Sequence, residues 1–213
     1  MLWPTSEPPE GHPMTTVLRT MAAAAALALA IAGCSASSDE DSAREASVGA
    51  GQESPDAILA PYDLDGLSGR EVVDTLEAMP IDQRPADLMA SVQPTELLLT
   101  SGDMEAALPL PDDAYYLSVA PYVDQTHPCA MHSLTTCRGE LGGQDVTVEV
   151  LDDATGEILV DGIRTAADNG FIGLWLPRDI DATITLEYDG KSAVTSISTG
   201  ADAETCLTTM QLR

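Results

Sequence analysis

The feature that most constrains this fold is a change in hydrophobic periodicity near Val92. From there to the end of the chain, apolar and polar residues alternate in short runs that are separated by turn residues. Alternation with a period of two puts the apolar side chains on one face of a strand, so repeated short runs indicate an antiparallel sandwich or barrel. The strand-like runs cover residues 96–100, 105–110, 115–123, 146–150, 158–160, 171–176, 182–188, 192–198 and 207–212.

A short amphipathic helix is predicted before the strands. Ser68 lies three residues before Glu71, which is the spacing of a capping box. The apolar residues that follow recur at helical spacing, as Val72, Val73, Leu76 and Met79. Pro80 ends the helix, because it cannot donate a helical hydrogen bond. The predicted fold class is therefore α+β: a short N-terminal helical segment over residues 55–91, followed by a mainly antiparallel β-sandwich-like or barrel-like domain over 92–213.

The N-terminal region has the pattern of an export signal. Residues 21–32 form an apolar run that follows Arg19 and precedes Gly33-Cys34. This combination is typical of a secretory signal, and the run is short for a transmembrane helix. We therefore assign residues 1–34 to a signal peptide. Met14 is a plausible true start, because the first thirteen residues are polar and proline-rich.

The end of the signal resembles the lipobox of bacterial lipoproteins, in the run Ile31-Ala32-Gly33-Cys34. The resemblance implies that Cys34 is lipidated and anchors the protein to the outer face of the cell membrane. The alternative is a plain secretory signal that ends at a chance cysteine. Residues 35–54 are rich in Ser, Ala, Gly, Asp and Glu, so they are predicted to form a disordered tether.

The charge balance narrows the class of partner. The chain has 35 acidic and 9 basic residues, with a formal net charge of −26. An acidic surface repels phosphate, so nucleic acid is not expected as a partner. The acidity by itself is weak support for metal binding, because solvated acidic surfaces are common.

Cysteine and histidine side chains, which can bind metals, are concentrated in one loop-like segment between strand-like runs. Cys129 and Cys137 lie there together with His127 and His132, which are two of the three histidines of the chain. With Cys34 set aside, Cys206 is the third remaining cysteine. Thiolates and imidazoles suit soft or borderline metals: three thiolates fit Cu(I), whereas Zn(II) needs a fourth ligand such as His132 or His127.

The residues alone leave other uses of the cysteines open. An exported protein can form disulfides, so Cys129–Cys137 or Cys137–Cys206 with one spare thiol is an alternative to metal binding. A catalytic thiol is a third possibility. Sequence motifs of phosphate-binding loops, serine hydrolases and zinc proteases are missing from the chain.

Several longer blocks resemble the CueP family of extracytoplasmic copper-resistance proteins, from about Leu67 to the end of the chain. The blocks are YLSVAPY at 116–122, QTHPC at 125–129, HSL at 132–134, Cys137 with Gly139-Glu140, NGFIGLWLPR at 169–178 and TCLT at 205–208. The resemblance implies that Cys129, Cys137 and Cys206 bind copper, with His127 and His132 as secondary ligands.

The resemblance also implies a biological role and an assembly. It points to a metal-binding protein, more than an enzyme, that sequesters copper or delivers it to a copper-dependent envelope enzyme, with a homodimer formed through the helical part. A thiol- or copper-based oxidoreductase is the alternative. Two features depart from the family: the lipobox with its tether, and Ala130-Met131 between Cys129 and His132, where Met131 offers a thioether.

Overall fold

The computed structural model describes residues 53–213. The predicted signal peptide, Cys34 and nearly all of the predicted tether lie outside the described residues. Among the described residues, no helix is long and apolar enough to cross a membrane.

The described chain begins with two short helices. Helix α1 covers Pro55–Leu59 and continues into a 3₁₀ turn at Ala60–Tyr62, and helix α2 covers Gly69–Ala78, followed by a 3₁₀ turn at Ile81–Gln83. The predicted capping box is confirmed, since the Ser68 hydroxyl accepts from the Glu71 N–H and the Glu71 carboxylate accepts from the Ser68 N–H. The capping box fixes where α2 begins, and one face of α2 is buried.

The rest of the chain forms eleven strands. They are β1 (Met89–Val92), β2 (Glu96–Ser101), β3 (Met104–Pro109), β4 (Ala114–Val119), β5 (His132–Ser133), β6 (Asp145–Asp152), β7 (Ile158–Thr165), β8 (Ile172–Pro177), β9 (Asp181–Tyr188), β10 (Lys191–Ser198) and β11 (Cys206–Leu207). They make three sheets, with the orders β3-β2-β1-β5, β10-β9-β6-β7 and β11-β4-β8. All pairs are antiparallel except β11 with β4.

The three-stranded sheet separates two apolar cores. Tyr115, Leu117 and Val119 of β4 pack into a core shared with the four-stranded sheet β10-β9-β6-β7. Tyr116 points to the opposite face and packs into the core formed by α1, α2, β1 and β2. A strand buried on both faces can join two layers, because successive side chains point in opposite directions.

The structure confirms the α+β class and the mainly antiparallel, sandwich-like arrangement. The hairpin at 101–103 and the Asp189-Gly190 turn between β9 and β10 form as predicted. Phe171, at the start of the most apolar run, is fully buried. The last predicted strand, 207–212, is shorter than expected: β11 has two residues, and Tyr122 and Gln211 add an isolated parallel bridge. The chain from β11 onward runs alongside β4 and the residues that come after β4. It therefore lies beside the loop that contains the histidines and cysteines.

Candidate metal centre

The three cysteines after the tether converge in the structure, although Cys206 is far from the other two in sequence. Cys129 precedes β5, Cys137 follows β5 and Cys206 opens β11. Cys129 and Cys206 are joined as a disulfide with their Cα atoms 5.6 Å apart. Cys137 is a free thiol, and its Sγ lies 3.6 Å from Cys129 Sγ.

The disulfide differs from both pairings that the sequence suggested. Cys129–Cys137 and Cys137–Cys206 were the alternatives, and the structure joins Cys129 to Cys206 instead. All three sulfurs lie close together in the folded protein, so any two of them could pair. The spacing of the cysteines in the sequence does not say which two do. The pairing with one spare thiol is nevertheless the arrangement that three cysteines in an oxidising compartment allow.

The segment that carries His127 and Cys129 is held by a single carboxylate. Glu140 accepts hydrogen bonds from the backbone N–H groups of Val123, Asp124 and Gln125, at 2.9, 3.0 and 3.1 Å. The N–H donor of Gln125 has the largest effect, and the three donors together lower the pKa of the Glu140 carboxyl. Because three donors converge on one anion, Glu140 fixes the backbone immediately before the ligand-rich loop.

Hydrogen bonds around Thr205 bring the C-terminal segment to the same place. Its hydroxyl donates to the Val92 carbonyl at 2.6 Å and accepts from the His132 N–H at 3.0 Å. The next residue, Cys206, donates its N–H to the Ala130 carbonyl at 3.1 Å. The beginning of β11 is therefore tied both to the edge of β1 and to the loop before β5.

The ring of Phe171 covers one side of the cysteine cluster. Phe171 packs with Ala120 and Cys206, and the half-buried Cys129 and Cys137 lie against this group. The Phe171 ring is 4.5 Å from the His132 ring and 6.4 Å from the His127 ring, measured between centroids. The sulfurs are thus screened from water on this side, which lowers the local dielectric and strengthens polar interactions within the cluster.

A close approach of two glycines positions Phe171. The Gly139 N–H donates to the Asn169 carbonyl at 2.6 Å. Gly170 has a φ of +82°, and a Cβ atom at this position would lie 2.6 Å from the Gly139 carbonyl oxygen. Only glycine fits both the backbone conformation and the space. The turn before β8 therefore packs directly against the residues that follow Cys137.

His132 is the buried imidazole of the cluster, with no exposed surface. Its Nδ1 lies 3.9 Å from Cys206 Sγ, and its Nε2 lies 2.9 Å from Glu77 Oε2. The Tyr116 hydroxyl donates to the same carboxylate at 2.8 Å, and the Asn169 amide donates to it at 3.0 Å. His127 is half-buried and lies nearer the surface, beside Cys129 and Cys137.

The buried charges favour an ionised pair. Burial alone would raise the pKa of Glu77, but hydrogen bonds from His132, Tyr116 and Asn169 and the charge of His132 outweigh it and lower that pKa. Burial alone would lower the pKa of His132, but Cys137 and Glu77 raise it. Because the Glu77 carboxylate is ionised, it must accept, and Nε2 of His132 carries the proton. Nδ1 is then the nitrogen turned to the sulfurs.

Cys137 has an environment that stabilises its thiolate. Burial would raise the pKa of this thiol, yet the neighbouring His132 side chain with its charge and the Ser133 N–H donor at 3.3 Å lower it. A thiolate is the form of cysteine that binds metals and attacks disulfides. Cys137 is therefore suited both to bind a metal ion and to attack a disulfide.

Sequence reasoning missed Glu77 and Asn169 as parts of the centre. Glu77 lies four residues after Val73, so helical periodicity puts it on the buried face of α2. An acidic residue on an apolar helix face signals a buried partner, and this signal was present in the sequence. Asn169 stands inside the block NGFIGLWLPR, but its amide reaches Glu77 only because the turn folds back against α2.

The geometry defines a small β-rich protein with three sulfurs and two imidazoles in one cluster. Two groups of ligand atoms are close enough to hold an ion: His127 with Cys129 and Cys137, and His132 with Cys137 and Cys206, each within 4.8 Å of one another. Thiolates and imidazoles in low-coordinate groups suit soft metal ions.

Comparison with known proteins places this architecture in a family. The family model described as "Periplasmic copper-binding protein CueP" matches residues 71–211. The crystal structure of S.CueP shares 42% sequence identity, with a TM-score of 0.71, and the match covers 76% of this chain and 98% of that chain. No curated protein gave a match. The chain belongs to the CueP family.

Proposed function

We propose that the protein binds copper in the cell envelope through the reduced thiolates of Cys129, Cys137 and Cys206, with His132 beside them. The observation that carries the proposal is the convergence of the three sulfurs with Nδ1 of a buried imidazole. Three thiolates in a site partly screened from water suit Cu(I), which prefers few, soft ligands. A copper-binding family is the expected setting for such a cluster.

Contacts around the proposed ligands support this function. Metal-binding histidines commonly donate their second N–H to a carboxylate, which fixes the tautomer and the orientation of the ring. Glu77 does this for His132, and Tyr116 and Asn169 hold Glu77 in turn. Zn(II) would be a competent substitute, because an imidazole can complete a four-ligand set.

The disulfide sets a condition for copper binding. It uses the sulfurs of Cys129 and Cys206, so all three thiolates are present only after reduction. Within the described residues, the oxidised cluster offers only the thiol of Cys137. Copper binding is therefore expected to depend on the redox state of the protein.

The test is a count of thiols and metal on the anaerobically reduced full chain that carries Cys34→Ala, in which three cysteines are left. We expect one copper ion per chain and the loss of all three titratable thiols on copper addition. Oxidised protein is the control and should retain little copper. Copper uptake that leaves three thiols reactive would contradict the proposed function.

A redox function is the second candidate, and the position of Cys137 favours it. Its thiolate can attack Cys129 Sγ, 3.6 Å away, forming a Cys129–Cys137 disulfide and releasing Cys206 as a thiolate. This exchange needs no outside electron. If the protein is a thiol oxidoreductase, it should reduce or oxidise a dithiol substrate catalytically without copper. Stoichiometric reaction alone would leave copper binding as the function.

The location and partners follow from the same proposal. A lipidated Cys34 would hold the domain at the outer face of the membrane, at the end of the tether. There the protein would either store copper or pass it to a copper-dependent enzyme of the envelope, as a monomer or as a dimer formed through the helical segment.

A further inference from the structure

The cysteine cluster contains two overlapping sets of ligands. The outer set is His127, Cys129 and Cys137, and the inner set is His132, Cys137 and Cys206. In each set the ligand atoms lie within 4.8 Å of one another. Cys137 is the member that both sets share, so a metal ion held by this sulfur has an imidazole and a second sulfur on either side.

The two sets differ in their access to solvent. All three residues of the outer set are half-buried, whereas His132 is 0% exposed and Cys206 is 1% exposed. His127 also lines a shallow surface pocket with Gln125, Thr126 and Arg138. Water and dissolved ions therefore reach His127 before they reach His132.

The two imidazoles belong to different sets. Within residues 53–213, no group of close ligand atoms contains both His127 and His132. The sequence treated the two histidines as alternatives for one fourth position. The structure puts each beside two of the three cysteines, with Cys137 common to both pairs and the ring of Phe171 adjacent to both imidazoles.

We propose that the outer set is a separate capture site, and that Cys137 passes copper from it to the inner set. This inference rests on the proposed function. Cu(I) first binds His127, Cys129 and Cys137, and the two thiols lose their protons to solvent. Cys206 then loses its proton and binds as His127 leaves, and His132 joins through Nδ1 after the Nδ1 proton has left to solvent. One ligand is exchanged at a time, and no electron is transferred.

A cysteine suits the shared position, because its sulfur can stay bound to Cu(I) while the other ligands are exchanged. Two- and three-coordinate Cu(I) leaves room for an incoming ligand, so exchange can proceed without releasing the ion to water. Glu77 holds the Nε2 proton of His132, so the proton that leaves to solvent when this imidazole binds the ion is the one on Nδ1. The inner set therefore accepts the ion once Cys206 is reduced and Nδ1 of His132 has released its proton.

The test separates the rate of loading from the affinity. Reduced full-length protein is mixed anaerobically with a coloured Cu(I)–chelator complex, and both the transfer rate and the final equilibrium are measured. For His127→Gln we expect loading slower by about tenfold, which corresponds to the loss of one ligand contact in the transition state. Its equilibrium affinity should change by less than about twofold.

The inner ligand should show the opposite pattern. For His132→Gln we expect an equilibrium affinity lower by about tenfold or more, with little change in the initial loading rate. Gln125→Ala, in the same surface pocket as His127, is the matched control and should change neither quantity. His127→Met returns a soft ligand and should recover most of the loading rate.

Two results would overturn the capture site without contradicting the proposed function. An unchanged loading rate in His127→Gln would show that this imidazole has no part in uptake. A loss of affinity in His127→Gln equal to that in His132→Gln would show one site with both imidazoles as ligands. If the wild-type protein binds no Cu(I), the proposed function fails, and the capture site fails with it.

Discussion

Oε2 of Glu77 on α2 lies 2.9 Å from Nε2 of His132 on β5, so a carboxylate of the helical segment orients an imidazole of the β domain. Arg84 lies next to this contact. Its guanidinium is 3.8 Å from the Glu77 carboxylate and donates a hydrogen bond to the backbone carbonyl of Glu77 at 2.7 Å. The helical segment therefore contributes Glu77 to the candidate metal centre and also supports the β sheets.

Replacement of Glu77 should destabilise the protein strongly. Glu77→Ala leaves the buried donors of His132, Tyr116 and Asn169 without their acceptor, at a cost of about 3 kcal/mol in the free energy of unfolding. Tyr116→Phe removes one of these hydrogen bonds and should cost about 1 kcal/mol. Urea unfolding of reduced protein measures both. Equal losses in the two variants would contradict a central role for the carboxylate.

The sequence predicted more of the fold than of the candidate metal centre. Alternating apolar residues defined the strands because each strand has a buried face, and Ser68 with Glu71 defined the start of α2 because capping is local. The contact of Glu77 with His132 joins residues 55 positions apart. No local pattern encodes such a contact, and it depends on how α2 packs against β4 and β5.

The same reasoning explains the cysteines. The sequence identified the three residues and their convergence, but not the Cys129–Cys206 pair. The choice among pairs depends on the short parallel contact of β11 with β4, which puts Cys206 beside Ser118. A two-residue strand carries too little periodicity to be predicted with its partner.

The Gly139–Gly170 contact makes a second prediction about stability. In Gly170→Ala a non-glycine residue must adopt a strained positive φ and clashes with the Gly139 backbone, so we expect the free energy of unfolding to fall by about 3 kcal/mol. Gly143→Ala is the matched control, because Gly143 also has a positive φ, at +70°, but open space around it. The control should cost about 1 kcal/mol. Thermal or urea unfolding gives the comparison, and equal costs would show that close packing at Gly170 is unimportant.

Acid should release the loop that carries His127. The pKa of Glu140 in the folded protein lies below the ordinary 4.5, so its stabilising hydrogen bonds are fully present above that pH. They are lost as the pH falls through the lowered pKa. The amide signals of Val123, Asp124 and Gln125 in nuclear magnetic resonance spectra should therefore shift together at a pH below 4.5.

Variants distinguish this titration from general acid unfolding. Glu140→Gln should abolish the common shift of the three amides, whereas Glu149→Gln, at an exposed position on β6, should leave it unchanged. A shift that persists in Glu140→Gln would mean that another carboxylate controls the loop.

The lipobox makes a prediction about location. Because Cys34 is expected to carry the lipid, Cys34→Ala should move the protein from the membrane fraction to the soluble extracytoplasmic fraction. The domain itself should keep its copper affinity, since the proposed ligands lie in residues 129–206. An unchanged membrane fraction would contradict lipid anchoring through this cysteine.

The most direct test of the central claim is the Cu(I) affinity of each cysteine variant. Reduced wild type, Cys129→Ser, Cys137→Ser and Cys206→Ser are titrated anaerobically against a chromophoric chelator, with Cys34→Ala as the control. Each of the three serine variants should lose affinity by at least about tenfold, which is roughly 1.4 kcal/mol, while the control keeps it. A variant that retains full affinity shows that its cysteine is not a ligand, and full affinity in all three would contradict copper binding at this cluster.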